Sequence, residues 1–243
     1  MVSFLAERLG GLAQLSTREH MALAALEQRE RPLRRGAVLL REKDRVSELF
    51  VVRQGIMMSY VLLPEGSRQS LRFLFPGDLI GTAALAYRET TESIAALTDA
   101  VVCPLERAAF AQTLAGYPRI AGMVLALAQI ERVGLTDRLA ALGRTPAHAR
   151  IAALLLELRD RLRATDASIG ATFQLCLTQE EMGDATGLTA VHVNRMLRRL
   201  EEDALIARAN GRVTLLDEAG LSRAAQYVDR SDRLDLGWLA AVR

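Results

Sequence analysis

The sequence of 243 residues predicts an α+β protein with a strand-rich N-terminal half, a long central helix and a mainly helical C-terminal half. After a helical stretch at Ser3–Gln28, the segment Pro32–Leu105 alternates short apolar runs with glycine and polar turns. Short strands at such spacing are typical of an all-β barrel or sandwich. The pattern then changes to one long helix over Arg119–Leu142 and to two short amphipathic helices within Leu177–Ile206.

Composition and charge limit the class of protein. Half of the residues are hydrophobic, so one large domain or two ordinary ones can bury a core. There is no run of about 18 apolar residues and no signal-peptide pattern, so we expect a soluble, cytoplasmic protein without a membrane segment. The net charge is only +2, and residues 144–243 contain as many acidic as basic side chains. Binding to nucleic acid therefore requires positive charge concentrated on one face.

The long helix has an apolar stripe with two interpretations. Pro118 fits its first turn, and we expect it to end at Gly143, with a hinge at Gly143–Pro146. One face could pack on the barrel and the other on a second copy of the chain, as in a two-stranded coiled coil. A core role within a single chain is the alternative. The stripe consists of Ile120, Val124, Leu127, Ile130, Leu135, Leu139 and Leu142.

The segment Leu177–Ile206 has the caps and turn of two consecutive helices. Thr178 and Glu181 have the spacing of a capping box. Gly187 allows a left-handed turn, and Thr189 suits the N-cap of the second helix. The second helix places Val193, Met196, Leu197 and Leu200 on an inner stripe and turns Ala190, Val191, Asn194, Arg195 and Arg198 outward. Caps, turn and basic face together favour a DNA-binding helix-turn-helix over a plain helical hairpin.

Two short apolar runs follow the second helix, at Leu205-Ile206 and Val213–Leu215, and the segment between them contains Asn210-Gly211. Asn-Gly is a strong hairpin signal, so the sequence predicts a winged helix. Arg208 and Arg212 lie on the predicted wing, near the expected path of DNA phosphates. Solvated surface arginines are the alternative for both residues.

The order of helix, strand-rich domain, long helix and winged helix resembles the Crp/Fnr (cyclic-AMP receptor protein and fumarate–nitrate reduction regulator) superfamily of bacterial transcription factors. The matching motifs, within about residues 10–218, are Gly36, Leu49–Val52, Gly55, Gly66, Pro76–Gly81, Gly143–Pro146 with Arg150–Ala152, and the helix-turn-helix itself. The resemblance implies a double-stranded β-helix (β-roll) sensor domain at 1–117, a dimerisation helix at 118–143 and a winged helix-turn-helix with a helical tail at 144–243. It also implies a homodimer on a pseudopalindromic DNA site, with RNA polymerase as a partner if the protein is an activator.

The resemblance assigns roles on the second helix. Arg195 matches the family's base-contacting arginine, and an outward arginine there can bond guanine O6 and N7. Val191 stands where well-studied members carry a base-contacting Glu, so the target site should differ from theirs; Val can contact a thymine methyl. Asn194 could contact adenine, and His192 matches a phosphate-contacting position. The candidate DNA-binding set is completed by Thr178, Gln179, Thr189, Arg198 and Arg212.

The candidate effector pocket differs from a cyclic-nucleotide site. The family's site needs a Glu for the ribose and an Arg-Ser or Arg-Thr pair for the phosphate, whereas this chain has Thr82 and Glu92-Ser93 at those positions. A carboxylate repels a phosphate, so we expect no response to cyclic AMP through this pocket. Arg68 and Arg72 could bind another anion, with solvated strand arginines as the alternative. The identity of an effector, and whether one exists, stays open.

The two cysteines, Cys103 and Cys176, form neither a disulfide framework nor a Cys-x-x-Cys metal site. An iron–sulfur cluster needs about four thiolates and is excluded. Haem would need a ligand such as His20, Cys103 or a methionine, and nothing favours one, so we expect no cofactor. Cys103 is interpreted as a buried small hydrophobe. Cys176 directly precedes the paired helices and is a candidate redox thiol, with a structural role as the alternative.

Two other classes of function are alternatives to a DNA-binding regulator. A cupin-like metal enzyme on the β-roll would need a cluster of His and carboxylate ligands, and His20 is the only histidine before the hinge. A nucleotide-binding adaptor with a degenerate DNA domain conflicts with the intact outward face of the second helix. The sequence therefore predicts a regulator rather than an enzyme, with no metal site.

Overall fold

The computed structural model describes residues 2–227, 230 and 233–239, and the chain divides into two compact units. We call Met1–Val61, Arg72–Gly134 and Leu234–Arg243 together the roll unit, and Leu62–Leu71 with Leu135–Arg233 the helix-turn-helix unit. The segments 1–117, 118–143 and 144–243 expected from the sequence stay a proposal. The structural division differs from them, because it falls within the long helix and assigns the tip of one hairpin to the second unit.

The roll unit is built on two four-stranded sheets. Its helices are α1 Phe4–Gly10, α2 Thr17–Leu26 and α3 Arg107–Gly116, and its strands belong to the series β1 Arg31–Leu33, β2 Val38–Leu40, β3 Glu48–Gln54, β4 Met57–Leu62, β5 Arg68–Leu74, β6 Leu79–Ile80, β7 Ser93–Ala96 and β8 Ala100–Glu106. The strand orders are β1-β8-β3-β6 and β2-β7-β4-β5. Strand β8 runs antiparallel to both β1 and β3. The β-roll and the α+β fold class predicted from the sequence are confirmed.

Strand β3 separates two cores of the roll unit. Leu49 and Val51 point to the helices, whereas Phe50 and Val52 point to the other sheet. Because both faces are covered, the strand is a continuous apolar run rather than an alternating one. The helix-side core also contains Leu5, Leu9, Leu23, Phe110, Ile120, Met123 and Leu127. At the end of β3 the chain turns at Gly55, which has a φ of +85° and whose added Cβ would overlap the Asp99 carbonyl oxygen.

The long helix, α4 Pro118–Arg144, has apolar residues in two different environments. Ile120 and Leu127 lie in the core of the roll unit, so these two belong to the face that packs on the barrel. Leu125, Leu135 and Leu139 are 56%, 44% and 72% exposed. Although α4 is 27 residues long, neither it nor any other helix in the described part of the chain is long and apolar enough to cross a bilayer.

The helix-turn-helix unit contains a three-stranded sheet against a helical core. Its elements are α5 Ala147–Thr165, β9 Thr172–Gln174, α6 Gln179–Thr186, α7 Ala190–Glu202, β10 Ile206–Ala209, β11 Arg212–Leu215 and α8 Glu218–Ala225. The sheet order is β10-β11-β9, so β9 adds a strand that the sequence analysis missed. Its Phe173 is buried and lies opposite Val213. Arg159 of α5 is 3% exposed and pairs with both carboxylate oxygens of Glu218, at 2.6 Å each, which ties α5 to α8.

The predicted helical tail is correct only in part. The helix α8 ends at Ala225, and the described residues 234–239 are not helical. The apolar residues of the tail, Leu234, Leu236 and Trp238, also predict packing against the rest of the protein. Leu234 is 45% exposed, so for this residue the prediction is wrong. Leu236 is half-buried, and Trp238 is 59% exposed although its ring lies next to Gly122 of α4. Leu239 instead packs against the helix-side core of the roll unit. Residues 228, 229, 231, 232 and 240–243 lie outside the described part of the chain.

Candidate nucleic-acid interface and sensor pocket

The first helix of the pair, α6, begins with a complete capping box. The Thr178 hydroxyl accepts a hydrogen bond from the Glu181 N–H at 3.1 Å, and the Glu181 carboxylate accepts one from the Thr178 N–H at 2.7 Å. Gly187 ends the helix with a φ of +65°. The turn also depends on Gly183, because an added Cβ there would overlap the carbonyl oxygen of Leu188. The sequence analysis missed Gly183, since a mid-helix glycine has no local signal of the close approach that requires it.

The second helix, α7, separates its buried and outward faces as predicted. Thr189 caps it by accepting a hydrogen bond from the His192 N–H at 3.3 Å. The residues of the inner stripe, Val193, Met196, Leu197 and Leu200, are all buried. Val191 is 82% exposed, Arg195 and Arg198 are exposed, and Asn194 and His192 are half-buried. Within the described residues no ion pair engages Arg195 or Arg198, so both guanidinium groups are available to an anionic ligand.

The two wing arginines have different environments. The hairpin β10–β11 turns at Asn210 and Gly211, which have φ values of +52° and +74°, and this confirms the Asn-Gly signal. Arg212 is exposed next to the turn. Arg208 instead donates to Glu201 at 2.7 Å, and this hydrogen bond lowers the pKa of Glu201. Arg208 is therefore neither a solvated arginine nor an unengaged phosphate donor, because α7 already binds it.

At the N-terminus of α6, Thr178 and Gln179 are exposed, as a phosphate contact would require. Cys176 lies two residues before Thr178, half-buried, and its thiol is 3.6 Å from the Gln174 carbonyl oxygen. Cys103 lies within the core of the roll unit, where burial raises the pKa of its thiol to about 11. At neutral pH this thiol stays protonated, which agrees with its interpretation as a small hydrophobe.

The candidate effector pocket contains an ion-pair cluster, which we call the Arg72 cluster. The Arg72 guanidinium lies 2.6 Å from Glu131 and 3.5 Å from Glu92. The three side chains are 15%, 27% and 19% exposed. Glu92 and Arg72 were both predicted pocket residues, and the structure brings them together. Glu131, on α4, was missed because it lies 59 residues from Arg72 in the sequence.

The other predicted pocket residues have separate contacts. The Ser93 hydroxyl is buried and accepts a hydrogen bond from the Glu42 N–H at 3.0 Å, so it is used by the fold. Thr82 begins a short 3-10 helix after Gly81. The assignment of Arg68 to the pocket is wrong, because Arg68 belongs to the helix-turn-helix unit and its Nε lies 2.6 Å from a carboxylate oxygen of Asp184 on α6.

Comparison with known proteins agrees with this architecture. The chain matches a model of the Crp-like helix-turn-helix domain over residues 149–224 and one of the cyclic nucleotide-binding domain over residues 30–117. The nitrogen fixation regulation protein FixK of Bradyrhizobium diazoefficiens is 31% identical over 78% of this chain and 79% of its own. The fumarate and nitrate reduction regulatory protein of Escherichia coli is 25% identical over 82% of this chain and 80% of its own. The solved structure of FixK2 from Bradyrhizobium japonicum has a TM-score of 0.75 at 24% identity and covers 83% of this chain and 98% of that one.

Together, the β-roll, the long helix and the capped basic helix of the winged domain define a helix-turn-helix, DNA-binding transcription regulator. The family models match both domains, and the 31% identity with FixK extends over most of both chains. These matches identify the particular family of regulators. The chain belongs to the Crp/Fnr family of transcription regulators.

Proposed function

We propose that the chain is a homodimeric, sequence-specific transcription regulator in which α7 enters the major groove and each α7 contacts one half of a two-fold symmetric site. The observation that carries the proposal is the outward face of α7, where Arg195 and Arg198 are exposed and engaged by no ion pair of the described residues, while the opposite face is buried. An α-helix of this kind fits the major groove of B-DNA.

The proposed contacts follow from the position of each side chain. Arg195 contacts guanine, Asn194 adenine and Val191 a thymine methyl. The residues at the helix N-termini and on the wing contact phosphates and set the register, because these contacts carry no sequence information. This phosphate-contacting set consists of Thr178, Gln179, Thr189, His192 and Arg212, together with Arg198 farther along α7. Since Val191 cannot accept a hydrogen bond from cytosine, the preferred half-site differs from one that a glutamate at this position would select.

We further propose that α4 forms the dimer. Its exposed leucines Leu125, Leu135 and Leu139 lie on the heptad spacing of a two-stranded coiled coil, with Ala128 and Arg132 at the intervening positions. A monomer would leave this stripe in water, and pairing with a second copy covers it. Two copies related by a two-fold axis present two α7 helices to half-sites about one helical turn apart.

In this proposal the regulator needs no cofactor and does not respond to cyclic AMP, because Glu92 stands where the family's phosphate-binding arginine is expected and Arg72 is already paired. A protein that binds chromosomal DNA acts in the bacterial cytoplasm, and RNA polymerase is its partner if it activates.

The enzyme alternative is not favoured: among the described residues, no three His, Cys, Asp or Glu side chains are grouped as metal ligands, and the related proteins are named as regulators.

In-vitro selection from a random duplex pool tests the proposal, using the reduced protein without added ligand. We expect enrichment of a two-fold symmetric motif with half-sites about one helical turn apart. The spacing reports the dimer, and the enriched bases report the contacts of Val191, Asn194 and Arg195. A folded dimer that enriches no motif would contradict effector-independent binding, and enrichment of a single asymmetric half-site would contradict the dimer.

A further inference from the structure

The Arg72 cluster joins three elements of the roll unit at one guanidinium group. Arg72 lies on β5, Glu92 directly precedes β7, and Glu131 lies on α4. The distance to the Glu131 carboxylate, 2.6 Å, is that of a charge-assisted hydrogen bond, whereas the Glu92 carboxylate is a looser neighbour at 3.5 Å. All three side chains are at least partly withdrawn from water, so their interaction is screened less than a surface ion pair.

The charges of this cluster disfavour an external anion. Two carboxylates lie next to one guanidinium group, and its hydrogen bond goes to Glu131. An incoming phosphate or carboxylate would have to displace Glu131 and then lie close to two negative charges. Removing the Glu131 carboxylate would leave the Arg72 guanidinium partly desolvated without its main partner. A partly buried charge without a partner lowers the stability of the fold.

We propose that Glu131 is a built-in carboxylate ligand of the sensor roll, which binds Arg72 in place of an anionic effector and thereby holds β5 on α4 without a small molecule. This inference rests on the proposed function, because it explains how the regulator can bind DNA without an effector. The chemical class that the site accepts is a small carboxylate, supplied by the chain itself.

Chemical rescue tests the proposal. In Glu131→Ala the missing carboxylate leaves a space next to Arg72, which acetate has the size and charge to fill. We expect the variant to unfold about 5 °C or more below the wild type, and sodium acetate to restore most of this loss relative to the same concentration of sodium chloride. The matched control is Asp137→Ala, which removes an α4 carboxylate from an exposed pair with Arg230; its Tm should not respond specifically to acetate. A Glu131→Ala protein that melts like the wild type, or an equal acetate response in all three proteins, would overturn the proposal.

If Glu131→Ala does not fold, Glu131→Gln serves instead, because it keeps the side-chain volume and removes the charge. We expect it to lower the Tm without an acetate response. In an Arg72→Met background the same substitution should have little further effect, since the partner is already gone. An equal loss of Tm in both backgrounds would show that Glu131 does not act through Arg72.

Measurements of DNA binding test whether the contact between Glu131 and Arg72 also affects regulation, and not only stability. By fluorescence anisotropy on the selected duplex, Glu131→Ala should bind about tenfold more weakly than the wild type, and acetate should restore its affinity. A variant with a lowered Tm but wild-type affinity would overturn the regulatory role of Glu131. If the wild-type chain binds no DNA sequence at all, the proposed function fails, and the acetate dependence of the Tm still decides whether Glu131 is the internal ligand.

Discussion

At the scale of single residues, the partners of each arginine distinguish structural from ligand-binding roles. Arg159 and Arg208 are engaged by carboxylates of their own unit, and Arg72 by those of the Arg72 cluster. Arg195 and Arg198 are exposed on α7. The sequence left the role of Arg208 open and placed only Arg212 in the DNA-binding set, and the contact with Glu201 now assigns Arg208 to the fold.

Arg195→Ala should remove discrimination at one base pair. A bidentate arginine–guanine contact contributes about 1–3 kcal/mol of preference, so competition between the selected site and a site changed at that base should lose most of its difference. Arg212→Ala is the matched control: losing a phosphate contact weakens binding to all sequences about equally and reduces the salt slope by about one. Undiminished discrimination by a folded Arg195→Ala dimer would show that α7 is misassigned.

The two cysteines differ in access and in acidity. Burial keeps Cys103 protonated, with a pKa of about 11, whereas Cys176 is half-buried just before α6. Oxidation at Cys176 would add polar bulk two residues from the N-cap Thr178, where a phosphate contact is proposed.

If Cys176 is a redox thiol, hydrogen peroxide should weaken DNA binding by the wild type, and Cys176→Ser should abolish this sensitivity. Anisotropy titrations before and after peroxide, with recovery by a reducing agent, measure the effect. The control is Cys103→Ser, which should keep the wild-type response if it folds. An unchanged peroxide response in Cys176→Ser would rule out the redox role.

At the scale of elements, short-range signals were sufficient for the caps and turns of the DNA-binding region. The capping box joins residues three apart in the chain, and Asn210-Gly211 forms the hairpin turn where both φ values are positive. Interactions of this range form within a few residues, so their sequence patterns survive in any tertiary context. Strand β9 was missed because three residues have no periodicity to recognise, and its pairing with β11 is a long-range contact.

In helix α4, periodicity alone does not show which apolar residues are buried within the chain. Its apolar residues formed one predicted stripe, but the fold buries Ile120 and Leu127 and leaves Leu135 and Leu139 exposed. The roll unit covers only one apolar face of the helix, and the second copy of the proposed dimer would cover the other.

Leu139→Glu should dissociate the proposed dimer, because each copy would place a carboxylate on the apolar seam opposite its equivalent. Sedimentation velocity should show a monomer at a concentration where the wild type is dimeric, and affinity for the symmetric site should fall by about tenfold or more. Met21→Glu, an exposed apolar position on α2, is the control and should stay dimeric. A Leu139→Glu dimer of wild-type strength would place the interface elsewhere.

At the scale of the whole molecule, net charge is a poor guide to the DNA-binding surface. The chain carries only +2, and many of its arginines neutralise carboxylates within the fold. The exposed arginines of the proposed interface are few, mainly Arg195, Arg198 and Arg212. We therefore expect few phosphate contacts per copy, and we expect strong binding to require two copies acting together.

The sequence by itself determined the order of the domains, the helix-turn-helix with its caps, and the wing; it also predicts that the usual cyclic-nucleotide residues are missing. These features depend on neighbouring residues and on periodicity. Tertiary structure alone decided that Glu131 binds Arg72, that Arg68 belongs with Asp184 and that Arg208 belongs with Glu201. A charged side chain selects its partner by distance and desolvation, and those are set only when the elements that carry the two residues have packed.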